Sequence, residues 1–397
     1  MIISKKLTKS VVGIFCSALM MSAASGCFRG TPDAILTNVS TTAFAVVPNK
    51  NRIDVINTST NEAFDSLFTD EKPSSIAVSP DARMILATNS ISGTVSVFLR
   101  KPNDTFQKLN SVGSGNRPAG IVFNPKFPEA YVAYEGDGRI LVLDTRSVTS
   151  SPRVVGVVTL QGAAPKKMVI SPDGTRLFVT DSANAKLLVL TKTGTNLIKK
   201  SGEVALVANS IAGSANSTIL EGIVMTKQEK VYIADYTRDT IMVVDGKQST
   251  GTPVQINLRS GTGANLSVNS NIGPKNMTVY TTLAGREKVY VAGYNASIIS
   301  SIDVQTQKVV NIPLTGSTGF QGNTGRDSYN PVGVAVANFN GKDYIYATNT
   351  SGLSLSMIDP ETDRLQRNTS TVASAADQEP FGEIVSAGSV TSASVTR

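Results

Sequence analysis

The chain contains no histidine and no tryptophan among its 397 residues. Without histidine there is no Ser-His-Asp or Cys-His nucleophile system and no His-ligated haem, copper or zinc. There is also no general base whose unperturbed pKa lies near 7. The lack of tryptophan excludes a tryptophan-lined carbohydrate platform. The chain therefore lacks the commonest metal ligand and general acid–base side chain.

Cysteine is almost as scarce, because the chain carries only Cys16 and Cys27. Both lie before residue 30, in or beside an N-terminal segment with the features of an export signal. The folded domain is therefore expected to hold no thiol and no disulfide. Its stability must come from packing.

Long helical patterns and strong charge are lacking too. No convincing stretch of 3.6-residue apolar periodicity follows residue 30, which indicates an all-β protein. The net charge of +7 includes Lys5, Lys6 and Lys9 of the export segment, and the remainder has 34 basic against 30 acidic residues. This balance is too mild and too scattered for a nucleic-acid binder, and no nucleic-acid partner is expected.

The N-terminal segment has the three parts of a signal peptide. Three lysines precede an apolar run over residues 11–24, which is too short to span a bilayer. Residues 24–27 (ASGC) resemble the bacterial lipoprotein box, in which the cysteine is lipidated and becomes the first mature residue. The resemblance implies a lipid anchor at Cys27, and Phe28 in place of Asp implies the outer membrane. The alternative is an ordinary signal peptide cut near Ala23 or Gly26, which leaves Cys27 a free thiol.

A repeated strand pattern runs through the rest of the chain. Seven segments share a short apolar strand, usually opened by Pro, and they recur about every 45 to 57 residues. These predicted first strands are residues 73–80, 118–125, 165–172, 220–225, 274–279, 331–336 and 380–385. Six are followed by a predicted second strand, at residues 85–89, 130–134, 178–181, 231–235, 289–294 and 344–349. Such spacing is typical of four-stranded propeller blades.

The two ends of the repeat array are complementary. Residues 43–47 and 53–56 read as a second and a third strand that lack a first, whereas residues 380–385 read as a first strand without successors. Pairing these ends would complete a seventh blade and leave no unpaired sheet edge. The sequence therefore predicts an all-β fold, a seven-bladed β-propeller closed by pairing of the N- and C-terminal strands. The predicted organisation is a lipoprotein signal peptide over 1–26, a tether over 27–42, the propeller over 43–390 and a polar tail over 391–397.

The repeat motif carries a family resemblance. The pattern P-x-x-apolar-x-V-S-P-D-G, followed by apolar-Y/F-V-T-N/D, is similar to the YVTN-type β-propeller repeats of exported bacterial surface proteins. The Ser-Pro-Asp-Gly turn is intact only at residues 171–174. The resemblance implies that first strands line a central channel and that two sets of loops share one face.

Candidate ligand residues lie on that face. Long connections over 201–219, 256–273 and 314–330 precede the last three blades. The predicted ligand-binding residues are Lys72, Arg117, Lys166, Glu221, Lys275 and Arg326. Glu379 also lies beside the start of a first strand. Since basic residues predominate at the strand starts, we expect an anionic ligand such as a carboxylate, phosphate or acidic glycan.

Two functions of different class fit these observations. The first is a non-catalytic, lipid-anchored propeller of the cell envelope, periplasmic or surface-exposed, that binds a protein, peptide or glycan partner. The second is a metal-dependent lactonase or hydrolase, for which Asp181, Glu221, Asp235 and Glu379 would have to converge on an ion. The neighbouring lysines and arginines argue against a cation there. We therefore expect a monomer that binds the membrane through Cys27, carries no cofactor and is not an enzyme.

Overall fold

Seven four-stranded sheets make up the part of the chain that the structure describes. This computed structural model describes residues 41–195, 197–206, 218–248, 250–264, 266, 271–314, 329–351, 354–370 and 382–387. The predicted signal peptide, Cys27 and the predicted polar tail lie outside the described residues. Neighbouring strands within each sheet are antiparallel.

Blade one contains strands from both ends of the chain. Its order is β28 (Ile384–Ser386), β1 (Thr42–Val47), β2 (Arg52–Asn57) and β3 (Glu62–Phe68). The other six blades each use four consecutive strands.

Blade two comprises β4 (Pro73–Val78), β5 (Met84–Asn89), β6 (Thr94–Arg100) and β7 (Phe106–Val112). Blade three comprises β8 (Pro118–Phe123), β9 (Glu129–Tyr134), β10 (Arg139–Asp144) and β11 (Arg153–Thr159). Blade four comprises β12 (Pro165–Ile170), β13 (Arg176–Asp181), β14 (Lys186–Gly194) and β15 (Leu197–Ala205). Blade five comprises β16 (Leu220–Met225), β17 (Lys230–Asp235), β18 (Thr240–Asp245) and β19 (Val254–Asn257). Blade six comprises β20 (Pro274–Thr281), β21 (Glu287–Gly293), β22 (Ile298–Asp303) and β23 (Val309–Pro313). Blade seven comprises β24 (Pro331–Phe339), β25 (Lys342–Asn349), β26 (Ser354–Asp359) and β27 (Arg364–Ser370).

The pairing of the two chain ends confirms the predicted closure of the ring. Ala43, Phe44 and Ala45 pair with Ser386, Val385 and Ile384. Two further backbone bonds extend this pairing to Gly382 and Glu383, since Gly382 N donates to Val46 O at 2.7 Å and Val46 N to Glu383 O at 2.9 Å. The observed strand begins at Ile384, later than the predicted start at residue 380.

The core lies between neighbouring blades. Phe44 of blade one and Phe98 of blade two share one apolar cluster with Val385 of the closing strand. On the other side of blade one, Ile384 packs with Ala335 and Tyr346 of blade seven. Burying side chains of this size contributes about 1.5 to 3 kcal/mol each. The closing strand therefore belongs to two inter-blade cores.

Glycine in the first strands lets neighbouring blades approach at the channel. A Cβ on Gly120 would lie 2.2 Å from Lys166 O, and one on Gly222 would lie 2.3 Å from Lys275 O. These distances are too short for any side chain, so the Gly in the third position of these strands is a packing requirement.

Among the described residues, no helix is both long enough and apolar enough to cross a membrane.

Candidate ligand-binding site at the channel mouth

One end of the ring carries a cavity at the mouth of the central channel. At this end, the turn after the second strand of a blade donates a backbone hydrogen bond to the segment before the first strand. Examples are Ser90 N to Lys72 O in blade two and Tyr236 N to Ile219 O in blade five, both at 2.9 Å. We call this end the mouth face. The cavity has a volume of about 380 Å³. Its charged lining residues are Arg117, Glu135, Lys166, Lys167, Glu221, Lys275 and Glu383.

Two ion pairs lie at the rim of this cavity. Arg117 Nη2 is 2.7 Å from Glu135 Oε2, and Lys166 Nζ is 3.2 Å from Glu221 Oε1. The Arg117 side chain is 62% exposed, so its pair is screened by water and contributes little to stability. Arg117 can therefore exchange its carboxylate partner for an incoming anionic group at small cost.

A network across the channel forms the floor of the cavity. Lys167 Nζ of blade four is 3.1 Å from Glu383 Oε2, next to the closing strand, and donates to Ser75 Oγ of blade two at 3.3 Å. Asn276 Nδ2 of blade six donates to Glu383 Oε1 at 3.1 Å. Lys167, Asn276 and Glu383 also line a second cavity of about 50 Å³ deeper in the channel. The network therefore separates the mouth from the deeper channel.

Lys275 is held against aromatic rings. Its ammonium lies 4.3 Å from the ring centre of Tyr294 and 5.8 Å from that of Tyr236, which are distances of cation–π contact. Tyr236 approaches closely because Gly273, with a φ of +60°, leaves space: a Cβ there would lie 2.8 Å from the tyrosine ring. Lys275 forms no ion pair with any described residue. It is therefore the mouth cation most available to a ligand.

The structure brings together four of the six predicted ligand residues. Arg117, Lys166, Glu221 and Lys275 all line the mouth cavity. Lys72 lies outside it, because its ammonium donates to Asn49 Oδ1 at 2.9 Å and its backbone N–H to Asn51 Oδ1 at 2.8 Å. Arg326 lies outside the described residues. That these residues bind a ligand remains a prediction.

Several lining residues were not among the predicted ligand residues, and for Lys167, Asn276 and Glu383 the repeat pattern contains a signal. Lys167 occupies the position where Gly120 and Gly222 stand in neighbouring blades, and a charge at a channel position is detectable by aligning the repeats. Ile384 pairs with Ala45 in blade one as Ile76 pairs with Ala87 in blade two, so Glu383, which precedes Ile384, occupies the position of Ser75. Asn276 follows Lys275 in the same repeat position as Lys167. All three therefore project from one level of the channel.

The carboxylates required for a metal-dependent enzyme do not converge. Asp181 Oδ1 accepts N–H groups of Ala164 at 2.9 Å and Ala183 at 3.1 Å, and Asp235 Oδ1 accepts that of Thr237 at 3.1 Å. These residues cap turns. Glu221 is paired with Lys166, and Glu379 lies outside the described residues. Across the described ranges, no group of three His, Cys, Asp or Glu side chains is arranged to hold a metal ion.

Tyr134 is a packing residue of the mouth face. It is fully buried, and its hydroxyl donates to Gly93 O at 3.3 Å. Burial raises the pKa of Tyr134 to about 12. The phenol is therefore neutral and faces no ligand.

Comparisons with solved structures agree on the fold. A protein from Lactobacillus plantarum is 14% identical with a TM-score of 0.61, covering 86% of this chain and 98% of that one. The dihydro-haem d1 dehydrogenase NirN in complex with DHE is 13% identical with a TM-score of 0.58, covering 87% of this chain and 66% of that one. A catalytically inactive His-to-Ala variant of virginiamycin B lyase from Staphylococcus aureus, solved with quinupristin, is 14% identical with a TM-score of 0.52. The match covers 79% of this chain and 94% of that one. At such identities the similarity concerns the fold alone.

The sequence itself matches a family. No significant match is found among curated protein sequences. The model of the lipoprotein LpqB β-propeller domain, Gmad1, matches residues 55–301, which run from blade one to blade six. The YVTN-type assignment remains a prediction. A match over more than half of the chain, on a closed seven-bladed ring, establishes that this protein belongs to the lipoprotein LpqB β-propeller domain family.

Proposed function

We propose that this protein is a non-catalytic, lipid-anchored β-propeller of the cell envelope that binds a protein, peptide or glycan partner through its mouth face. Membership of a lipoprotein family indicates a location in the envelope. We further propose lipidation at Cys27 and attachment to the outer membrane, as the sequence features predict.

The mouth cavity is the observation that carries the binding function. Its charged lining comprises four basic and three acidic residues, and Lys275 has no carboxylate partner among the described ones. An ammonium between two tyrosine rings is positioned to meet a carboxylate or phosphate. Arg117 and Lys166 lie on the same cavity and can add further contacts. The proposed partner therefore presents an acidic group to the mouth.

Chemical considerations favour binding over catalysis. Of the carboxylates that a metal-dependent enzyme would need, Asp181 and Asp235 cap turns and Glu221 forms an ion pair with Lys166. Virginiamycin B lyase shares the fold, but its histidine-to-alanine form is described as catalytically inactive, and the present chain contains no histidine. The same catalytic group is therefore not available here.

Affinity capture from native envelope tests this proposal. The variant Arg117→Gln, Lys166→Gln, Lys275→Gln should lose the partner, and should also lose binding of acidic glycans or nucleotides, while the melting temperature stays nearly unchanged. A matched variant with three exposed basic residues removed from the outermost strands, Arg153→Gln, Lys199→Gln, Arg364→Gln, carries the same charge change. Equal capture by both variants would refute a role for the mouth.

A further inference from the structure

Both ends of the described chain leave the ring on the side opposite the mouth. On this side, the residue after the third strand of a blade donates a backbone hydrogen bond to the residue just before the second strand. Examples are Lys192 N to Thr175 O in blade four and Gly246 N to Glu229 O in blade five, both at 2.8 Å. Thr58 N donates to Thr41 O at 2.8 Å, and Ala387 N donates to Thr42 O at 2.9 Å. We call this side the terminus face.

We propose that the terminus face rests on the lipid surface to which Cys27 is attached, so that the channel mouth points away from the bilayer. This proposal rests on the lipid anchor of the proposed function. The occupant of the terminus face is then a lipid surface.

The length of the tether supports this orientation. Residues 28–41 join Cys27 to β1. A flexible chain of this length has a root-mean-square span of roughly 20 Å, and it reaches about 50 Å only when fully extended. The six-residue strand β4 alone is about 20 Å long, and the loops add to the height of the ring. To bring the mouth to the bilayer, the tether would have to run along that height and exceed its root-mean-square span.

Apolar residues project from the terminus face. Leu283, in the turn between β20 and β21, is 90% exposed. Phe127, between β8 and β9, is 38% exposed, and Val148, between β10 and β11, is 50% exposed. Apolar side chains at loop tips gain free energy when they enter the boundary between headgroups and acyl chains. These tips are therefore suited to contact the bilayer that holds the anchor.

Basic residues accompany these tips. Exposed lysines without an ion pair among the described residues lie on the terminus-face loops of four blades, namely Lys101, Lys126, Lys227, Lys247 and Lys308. Two acidic residues on the same face, Asp81 and Asp173, are held within their own turns, since Asp81 accepts from Arg83 N and Asp173 accepts from Thr175 N. Lysines near an anionic bilayer are attracted to its headgroups.

Energy transfer to a labelled bilayer tests the orientation. The full lipidated protein is reconstituted in vesicles of phosphatidylcholine and phosphatidylglycerol that carry a headgroup-labelled acceptor. If Cys27 is lipidated and Cys16 is removed with the signal peptide, a cysteine introduced at Ser92 on the mouth face or at Ser150 on the terminus face is the single free thiol for a donor dye. Transfer should be stronger from Ser150→Cys than from Ser92→Cys. Equal transfer, or stronger transfer from Ser92→Cys, would overturn the proposal.

A second pair of variants tests the docking contact. Leu283→Ser should reduce transfer from the dye at Ser150→Cys, whereas Ile91→Ser, at a 67% exposed residue of the mouth face, should leave it unchanged. Transfer that is insensitive to Leu283→Ser would contradict docking. Protein that fails to stay on the vesicles would overturn both the anchor and this proposal. Loss of partner capture with the expected transfer would overturn only the role of the mouth.

Discussion

At the residue scale, the channel depends on small residues and charges placed at one level of the first strands. Gly120 and Gly222 permit the first strands to approach, whereas Lys167, Asn276 and Glu383 cross the space between blades. The rim cations follow from the repeat pattern, which places them beside the starts of the first strands. The cross-channel contacts do not, because Lys167 and Glu383 are 216 positions apart and no local pattern encodes their meeting.

Replacing Gly222 tests the packing requirement. We expect Gly222→Ala to lower the free energy of unfolding by about 1 to 3 kcal/mol, since the added Cβ would lie 2.3 Å from Lys275 O. Gly382→Ala is the matched control, because its Cβ would meet its nearest neighbour at 3.4 Å, an ordinary contact distance. Thermal unfolding of both variants measures the difference in stability. A Gly222→Ala protein as stable as the Gly382→Ala control would show that the strands can separate.

The Lys167–Glu383 pair is expected to couple blade four to the closing strand. Both side chains are mostly buried, at 19% and 15% exposure, so a double-mutant cycle with Lys167→Met and Glu383→Gln should give a coupling of about 1 to 2 kcal/mol. The pair Lys186–Glu203, at 37% and 39% exposure, is screened by water and should give a much smaller coupling. Similar couplings for the two pairs would argue against a cross-channel tie.

At the element scale, the ring depends on a short strand. The repeats predicted the first two strands of blades two to seven and the pairing of the chain ends. The start of the closing strand was placed too early, since its observed bounds are set by its pairing with β1 and by the two cores that hold Ile384 and Val385. The position of a side chain is harder to predict than the bounds of a strand. The Lys72 ammonium donates to Asn49 in the turn after β1, a contact between two blades that local sequence does not specify.

Removing residues 382–397 tests the closure. Without β28 the inner edge of β1 is unpaired, and the truncated protein should unfold or aggregate. Sedimentation and circular dichroism of this truncation provide the measurement, and a truncation that ends after Ala387 provides the control. A monomeric protein of unchanged stability after the larger deletion would mean that closure is not needed.

At the scale of the whole molecule, tyrosine burial in most blades links stability to pH. Burial raises the pKa of Tyr134 and Tyr232 to about 12, and it also raises the pKa values of Tyr131, Tyr280, Tyr290 and Tyr346. Between an unfolded pKa of 10.0 and a folded pKa of about 12, the unfolded chain binds fewer protons than the native one. Stability should therefore be complete below pH 10 and fall as the pH rises toward 12.

Tyrosinate absorbance followed together with circular dichroism checks this expectation, and the absence of tryptophan keeps the tyrosine signal clean. The buried phenols should ionise only as the ring unfolds. Ionisation of all ten tyrosines near their ordinary pKa in a folded ring would contradict the burial described here.

We propose that the rigid ring presents its channel mouth to a partner in the envelope. Photo-crosslinking in living cells tests it most directly, with a photoreactive residue placed at Ser92 beside the mouth or at Ser150 on the terminus face. We expect a discrete protein or glycan adduct from position 92 that disappears when Lys275 is replaced by Gln, and no such adduct from position 150. An adduct from position 150 alone, or no adduct from either, would contradict it.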